Sequence, residues 1–428
     1  MAQIEFERDV RYPMMVKMLK DLYKIFEELV NESNAEDFKL IARLYSIGNG
    51  LKVYEGTYKG LLDPYLVARK KDFERQFRFA VMNNPELNKK YGHIWDELVV
   101  SRNEAKKSAN KIFAYNISGF YSPQYLVIAS KLVGLINDLN DGKITKEKYN
   151  EEVAKIYPSD LNHQLQKKLL LLQLKVWKDN LPSDSELLER LIGNNSIEKA
   201  AEKILSESWF TTKEKFDELI KKNSIEILNS SDPFIYFITN TTNELNKLLE
   251  ENKARNQKEE ILNQMLGEAL YAVYGDAIPP DATGTLRLAD GIVKGYDYNG
   301  TRAPIKTTFY GALDRYYSFD KKFPFNLPSY WEKLPDEFDL STPLNFVSTN
   351  DIIGGNSGSA VLNINAEVVG LAFDGNIESL PNTFIYTTEA NRTVSVSALG
   401  MIEAIRDLYK AEALSNEIIS GKRKWGLK

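Results

Sequence analysis

The sequence predicts an α+β fold: a large all-helical domain, then a region of short strands making half of a β-barrel or sandwich, then a C-terminal helix. Three observations predict it. Apolar residues recur at three- and four-residue spacing through most of residues 7–274. At Tyr274-Gly275-Asp276-Ala277-Ile278-Pro279-Pro280 the composition shifts, and Gly, Pro, Thr and Tyr rise. Beyond that point short β-branched and aromatic runs alternate with turns. The expected domains are residues 1–274, 275–400 and 401–428.

Residues 2–6, AQIEF, alternate like the end of a strand. Met15, Leu19, Leu22, Phe26 and Leu29 then share one helix face, up to the polar cluster at 31–34. A second helix is expected from about Ala35, with Phe38, Ile41, Ala42 and Tyr45 as its buried stripe and an interruption at Gly48-Asn49-Gly50. Asp63-Pro64 reads as a cap followed by proline at the first helical position, opening a helix that carries Leu66, Phe73, Phe77, Ala80 and Val81 to the Asn83-Asn84-Pro85 break. Another runs from Leu87 to Asn110 with Trp95, Leu98 and Val99 inward. Further helices are expected over 120–140, 146–156, 161–179, 184–194, 197–206, 212–222 and 240–274, with no fixed repeat period.

Strand-like runs follow at 285–288, 292–296, 305–310, 344–348, 360–364, 367–373 and 384–387. The aromatic and Pro-rich loop 319–340 is too long for a plain connector and is expected to pack over the strands. After Arg392 helical spacing returns, with Leu399, Ile402, Ile405 and Leu408 on one face, and the basic tail GKRKWGLK reads as frayed.

Composition narrows the function. A chain of 428 residues with 43% hydrophobic content can bury a sizeable core. Fifty-five basic against 60 acidic residues give a net charge of −5 with no basic stripe, which argues against nucleic acid. No cysteine is present, so disulfides and thiolate metal sites are excluded. Apolar runs fall short of the roughly 20 residues of a membrane helix, and the amino terminus shows no signal-peptide core.

The chemistry-bearing stretch is 351–375, DIIGGNSGSAVLNINAEVVGLAFDG. Small residues crowd into a turn that can lift the Ser357 hydroxyl from the backbone, while the N–H groups of Gly355 and Ser357, two residues apart, converge on one oxygen as an oxyanion hole. The alternative is an ordinary hairpin loop, for which glycine and asparagine supply the positive φ.

The turn resembles the nucleophile turn of chymotrypsin-like serine peptidases, and more closely that of the bacterial dipeptidyl peptidase 7 and 11 family of serine peptidases, peptidase family S46. There a TGGNSGSP turn runs into V-hydrophobic-N, G-E-L-hydrophobic-G-L and F-D-G/R-N segments. Here the residues read GGNSGSAVLN and AEVVGLAFDGN, ending at Asn376. SIGNGLKVYEGTYKGL at 46–61, SWFTTKEKFDELI at 208–220, SDPF at 231–234 and TLRLADGIVKGY at 285–296 match in the same order, so the resemblance covers most of the chain. Ile353 replaces the family's Thr, and Ala360 its Pro.

The resemblance implies a chymotrypsin-like half barrel carrying Ser357 and a helical lid. It implies release of N-terminal dipeptides through an acyl-enzyme, without metal or cofactor, in the periplasm or cell envelope. Asn49 matches the family asparagine on the substrate α-amino group; read alone, it is a helix-break residue capping its own backbone. Asp374 would join Asn49 there; read alone, it is a turn former. Gly375 matches the base of the pocket for the second substrate side chain, where glycine leaves room and no charge, hence an apolar preference. The partners implied are a peptide with a free amino terminus, a separate amino-terminal barrel chain if the enzyme is split, and a second copy in a homodimer.

A serine nucleophile needs a base, and only His93 and His163 exist, both in helical context. They read as surface or cap histidines. In the family the catalytic His and Asp precede the helical domain, in a region with no counterpart here, so the chain alone is expected to be nearly inert. The rival expectations are a non-catalytic peptide-binding remnant and one subunit of a split peptidase.

Overall fold

The computed structural model describes residues 1–33, 37–277, 286–322 and 324–422. Their contacts divide the chain into two units, Met1–Tyr58 with Val67–Pro279, and Lys59–Leu66 with Pro280–Lys428.

The first unit is helical. Residues 2–6 are not a strand: Ala2–Phe6 is helix, and it continues through a π-turn at Glu7–Arg11 into Tyr12–Glu32. Five alternating residues fit either period, and the helix that follows decides. Leu19, Leu22, Phe26 and Leu29 are buried as their spacing predicts. Phe38–Leu62 is one helix that Gly48-Asn49-Gly50 does not interrupt. A Cβ on Gly48 would stand 3.3 Å from the Tyr23 ring, so glycine there allows close approach to Tyr12–Glu32. The buried face carries Leu44 and Ile47, whereas Phe38, Ala42 and Tyr45 are exposed. Both stripes have helical spacing, and only the neighbouring helix selects between them. The expected start near Ala35 lies outside the described residues.

Caps fall where the sequence places them. Asp63 Oδ1 accepts from the Tyr65 N–H at 2.8 Å ahead of the helix Pro64–Met82. Asn84 Oδ1 accepts from Glu86 and Leu87 ahead of Pro85–Tyr91. The helix expected over 87–110 is divided at Gly92-His93 and resumes as Ile94–Tyr115. The 42-residue helix Pro233–Tyr274 is capped by buried Asp232, whose carboxylate accepts from Phe234 (2.8 Å), Ile235 (3.2 Å) and Trp209 (2.7 Å). In the main core Trp177 stacks on Phe237 with ring centroids 4.3 Å apart.

The second unit contains the hairpin β1 (Tyr296–Tyr298) and β2 (Thr301–Ala303). A five-stranded antiparallel sheet follows, built of β3 (Lys306–Thr308), β4 (Pro343–Ser348), β5 (Ala360–Leu362), β6 (Val368–Gly375) and β7 (Thr393–Ser397) in the order β3-β4-β7-β6-β5. The sheet is open, so the half-barrel expectation is met by its strands but not by closure. The central strand β7 falls where helix is expected. VSVS alternates, but its buried face is Thr393, Ser395 and Ser397, polar residues that carry no apolar signal until β4 and β6 pair on both sides. Helix begins only at Ala398.

Four other strand expectations give way in whole or in part. Residues 292–296 make one bridge, Val293 to Ser348, before β1. Phe309–Ser318 is helix, and 384–387 are not strand. Within 285–288, Thr285 lies outside the described residues and the rest is irregular. The loop 319–340 does pack inward: Trp331 and Phe338 lie on Phe309, with ring centroids 5.7 and 4.8 Å away. The chain ends in Ala398–Glu403, a π-turn at Ala404–Leu408 and Glu412–Ser420; Leu408 is buried and Leu399 exposed. The tail beyond 422 lies outside the described residues.

Candidate active site

The turn before β5 is held by its own backbone and by β6. The N–H and Nδ2 of Asn356 donate to the Ile353 carbonyl at 3.2 and 2.8 Å, and Ser359 N–H donates to Asn356 at 2.9 Å. Gly358 N–H donates to the Ala372 carbonyl at 2.7 Å, and Ala372 N–H returns to Ser359 at 2.9 Å. Gly355 and Gly358 adopt φ of +106° and +90°, which L side chains rarely occupy, so glycine is required at both.

Ser357 stands between them, exposed. Its hydroxyl donates a long 3.4 Å bond to the Phe373 carbonyl. Phe373 sits at a β-bulge: Ala372 pairs with Ser395 and Asp374 with Val394, leaving it unmatched. The N–H groups of Asn356, Gly358 and Ser359 are all used, while those of Gly355 and Ser357 make no hydrogen bond among the described residues. Two unengaged donors thus flank an exposed hydroxyl, an arrangement able to receive an oxyanion.

Asp374 and Gly375 end β6 next to this turn. Asp374 is exposed, and its Oδ1 accepts from the adjacent Gly375 N–H at 2.8 Å. A Cβ added at Gly375 would collide with the Ser379 hydroxyl, which donates to the Asn376 carbonyl at 2.7 Å, so glycine there lets that hydroxyl approach the strand. Asn49 belongs to the first unit, where it is exposed on an unbroken helix, so no helix break needs its side chain.

Sequence reasoning missed the residues that brace the site. Asp351, at the stem of the turn, accepts from Asn382 Nδ2 at 3.1 Å, and burial pushes its carboxyl above the usual range. Asn391 Nδ2 donates in turn to Asn382 Oδ1. Asn376 Oδ1 accepts from the Arg392 N–H at 2.9 Å, and its Nδ2 donates to Ala390 at 2.7 Å. Asparagine in loops gives no sequence signal separating such braces from ordinary turn formers.

Both histidines lie in the first unit. His93 Nε2 is 3.8 Å from Glu97, and His163 Nδ1 is 2.7 Å from the Tyr125 hydroxyl. The acceptor of the Ser357 hydroxyl, the Phe373 carbonyl, cannot serve as a base. Among the described residues no group of three His, Asp or Glu side chains gathers to hold a metal, and no helix is long and apolar enough to cross a membrane.

Comparison with known proteins adds relatives throughout the chain. The dipeptidyl-peptidase 7 of Capnocytophaga gingivalis is 26% identical over 434 residues, covering 95% of this chain and 59% of the relative. An Asp/Glu-specific dipeptidyl-peptidase of Flavobacterium psychrophilum is 23% identical, covering 95% and 58%. The chain therefore spans less than two thirds of the length of these relatives. The crystal structure of Porphyromonas endodontalis DPP11 superposes with a TM-score of 0.77 at 18% identity, over 98% of this chain and 62% of that one, and so shares its fold. A family model described as peptidase S46 matches residues 1–420, and this chain belongs to that family.

Proposed function

We propose that this chain carries the nucleophile of a serine-type dipeptidyl peptidase, with Ser357 attacking the peptide carbonyl and the N–H groups of Gly355 and Ser357 receiving the oxyanion. The observation that carries this reading is the pair of N–H groups, of Gly355 and Ser357, that make no hydrogen bond among the described residues beside an exposed serine hydroxyl. The relatives' names as dipeptidyl peptidases support it. Asn49 and Asp374 bind the substrate α-ammonium, and the proton acceptor for Ser357 is a histidine outside the residues of this chain. The uncharged base at Gly375 favours an apolar second side chain over an acidic one.

The test is co-expression with the part of a relative that this chain does not span, followed by an assay of dipeptide release. Release from peptides with free amino termini, none from acetylated ones, and a loss on the order of 10⁴ to 10⁶ in Ser357→Ala is expected. Cleavage after Asp or Glu but not after Leu or Phe would overturn the pocket assignment. Rapid stoichiometric labelling of Ser357 by a fluorophosphonate in the isolated chain would overturn the external base.

A second reading, a non-catalytic peptide-binding protein, is favoured by the bond from Ser357 to a backbone carbonyl. Peptide binding without release in the restored complex would select it.

A further inference from the structure

The first unit contains a cavity of about 760 Å³ that the reading above does not use. Three helices line it, each with residues at helical spacing: Pro64–Met82, Ile94–Tyr115 and Pro233–Tyr274, and the short Ala2–Phe6 closes one end. Its body is apolar and aromatic, with Phe73, Phe77, Trp95 and Leu270 among the walls. Phe77 and Trp95 meet edge to face at 5.4 Å, so the walls are set by packing. The volume lies within the range of about 300–1,000 Å³ usual for small-molecule pockets.

Charge is unevenly answered within it. The Glu74 carboxylate takes the Met1 ammonium, Arg78 pairs with Asp96 at 2.9 Å, and Arg102 pairs with Glu259. Lys70 makes no ion pair within 4 Å among the described residues; the residue is half-buried, with its ammonium 5.7 Å from the Phe73 ring centroid. Burial pushes this ammonium below its usual pKa, with Glu74 opposing the shift. A half-buried ammonium that makes no close ion pair, beside an apolar chamber, suits an anion that has an apolar body.

We propose that this cavity binds an amphipathic organic acid, its carboxylate on Lys70 and its hydrocarbon against Phe73, Phe77 and Trp95. Gly267 lines the same space, and a Cβ added there meets nothing within 4 Å, so a side chain at 267 can be introduced without a clash at its first carbon.

The test is titration of the whole 428-residue chain with dodecanoate below its micellar concentration, read by tryptophan fluorescence, with Trp95→Phe identifying the signal among the five tryptophans. Saturable binding is expected. Lys70→Met, or dodecanol as ligand, weakens it about tenfold through loss of the charge-assisted contact. Gly267→Phe abolishes it while circular dichroism and Tm stay unchanged. The proposal is overturned if dodecanoate gives no saturable Trp95-dependent change, if dodecanol binds as tightly as dodecanoate, or if folded Gly267→Phe binds like the parent. None of these readouts depends on peptidase activity.

Discussion

The largest fully buried side chains of the two units are opposite in kind. In the first it is Trp177, stacked on Phe237, with its Nε1 donating to the Ala114 carbonyl at 3.0 Å. In the second it is Arg392, whose guanidinium donates to five backbone carbonyls: Lys294 (2.7 Å), Gly295 (2.8 Å), Thr388 (3.0 Å), Glu389 (3.4 Å) and Asn391 (2.6 Å). Helices satisfy their own backbone, so their shared interior can be apolar. Short strands joined by long loops leave carbonyls unpaired, and one arginine with five donors satisfies them.

Arg392→Met therefore strands several buried acceptors at once and is expected to cost about 3–5 kcal/mol. Trp177→Ala should cost a similar amount through a cavity. Hydrogen exchange resolved along the chain separates them: each variant should lose protection first in its own unit. Equal loss in both units for either variant would break the comparison.

Asp232 tests whether the helical unit tolerates polar burial only at a cap. Asp232→Asn replaces an acceptor facing the Trp209 N–H with a donor and should cost about 2 kcal/mol by urea unfolding. Burial pushes the Asp232 carboxyl above its ordinary value, against the hydrogen bonds it accepts. The folded state then holds its proton more tightly than the unfolded one. The stability contributed there falls as pH rises from the usual carboxylate range through the raised value, and Asp232→Asn should flatten that slope.

The smallest effects contrast two glycines. Gly358→Ala forces a Cβ into a φ of +90° and should cost about 1–2 kcal/mol. Gly48→Ala adds helix propensity worth about 1 kcal/mol against crowding of Tyr23, and the net change in Tm should be close to zero.

Those glycines mark the limit of legibility in the sequence. The turn at 354–358 is readable because its small residues directly precede an apolar strand, and the structure places Gly355 and Gly358 at positive φ. Gly48 and Gly50 read as an interruption by the same logic, yet they lie in continuous helix. Single residues cannot say whether a missing Cβ serves the backbone or a neighbour. Gly375 shows the same limit at the site: a Cβ there would meet the hydroxyl of Ser379, a contact four residues on that the glycine itself does not announce.

By itself the sequence determined the helical region, the caps at Asp63 and Asn84, and the glycine-rich turn around Ser357, because local chemistry sets each of them. Tertiary structure alone decided that 393–397 is a central strand, that Leu44 and Ile47 face inward in place of Phe38 and Tyr45, and that Arg392 supplies a polar core. Each depends on partners distant in the chain: strands on either side of β7, a helix beside 44–47, and carbonyls nearly a hundred residues before Arg392. Such pairing energies leave no periodicity in the segment that receives them.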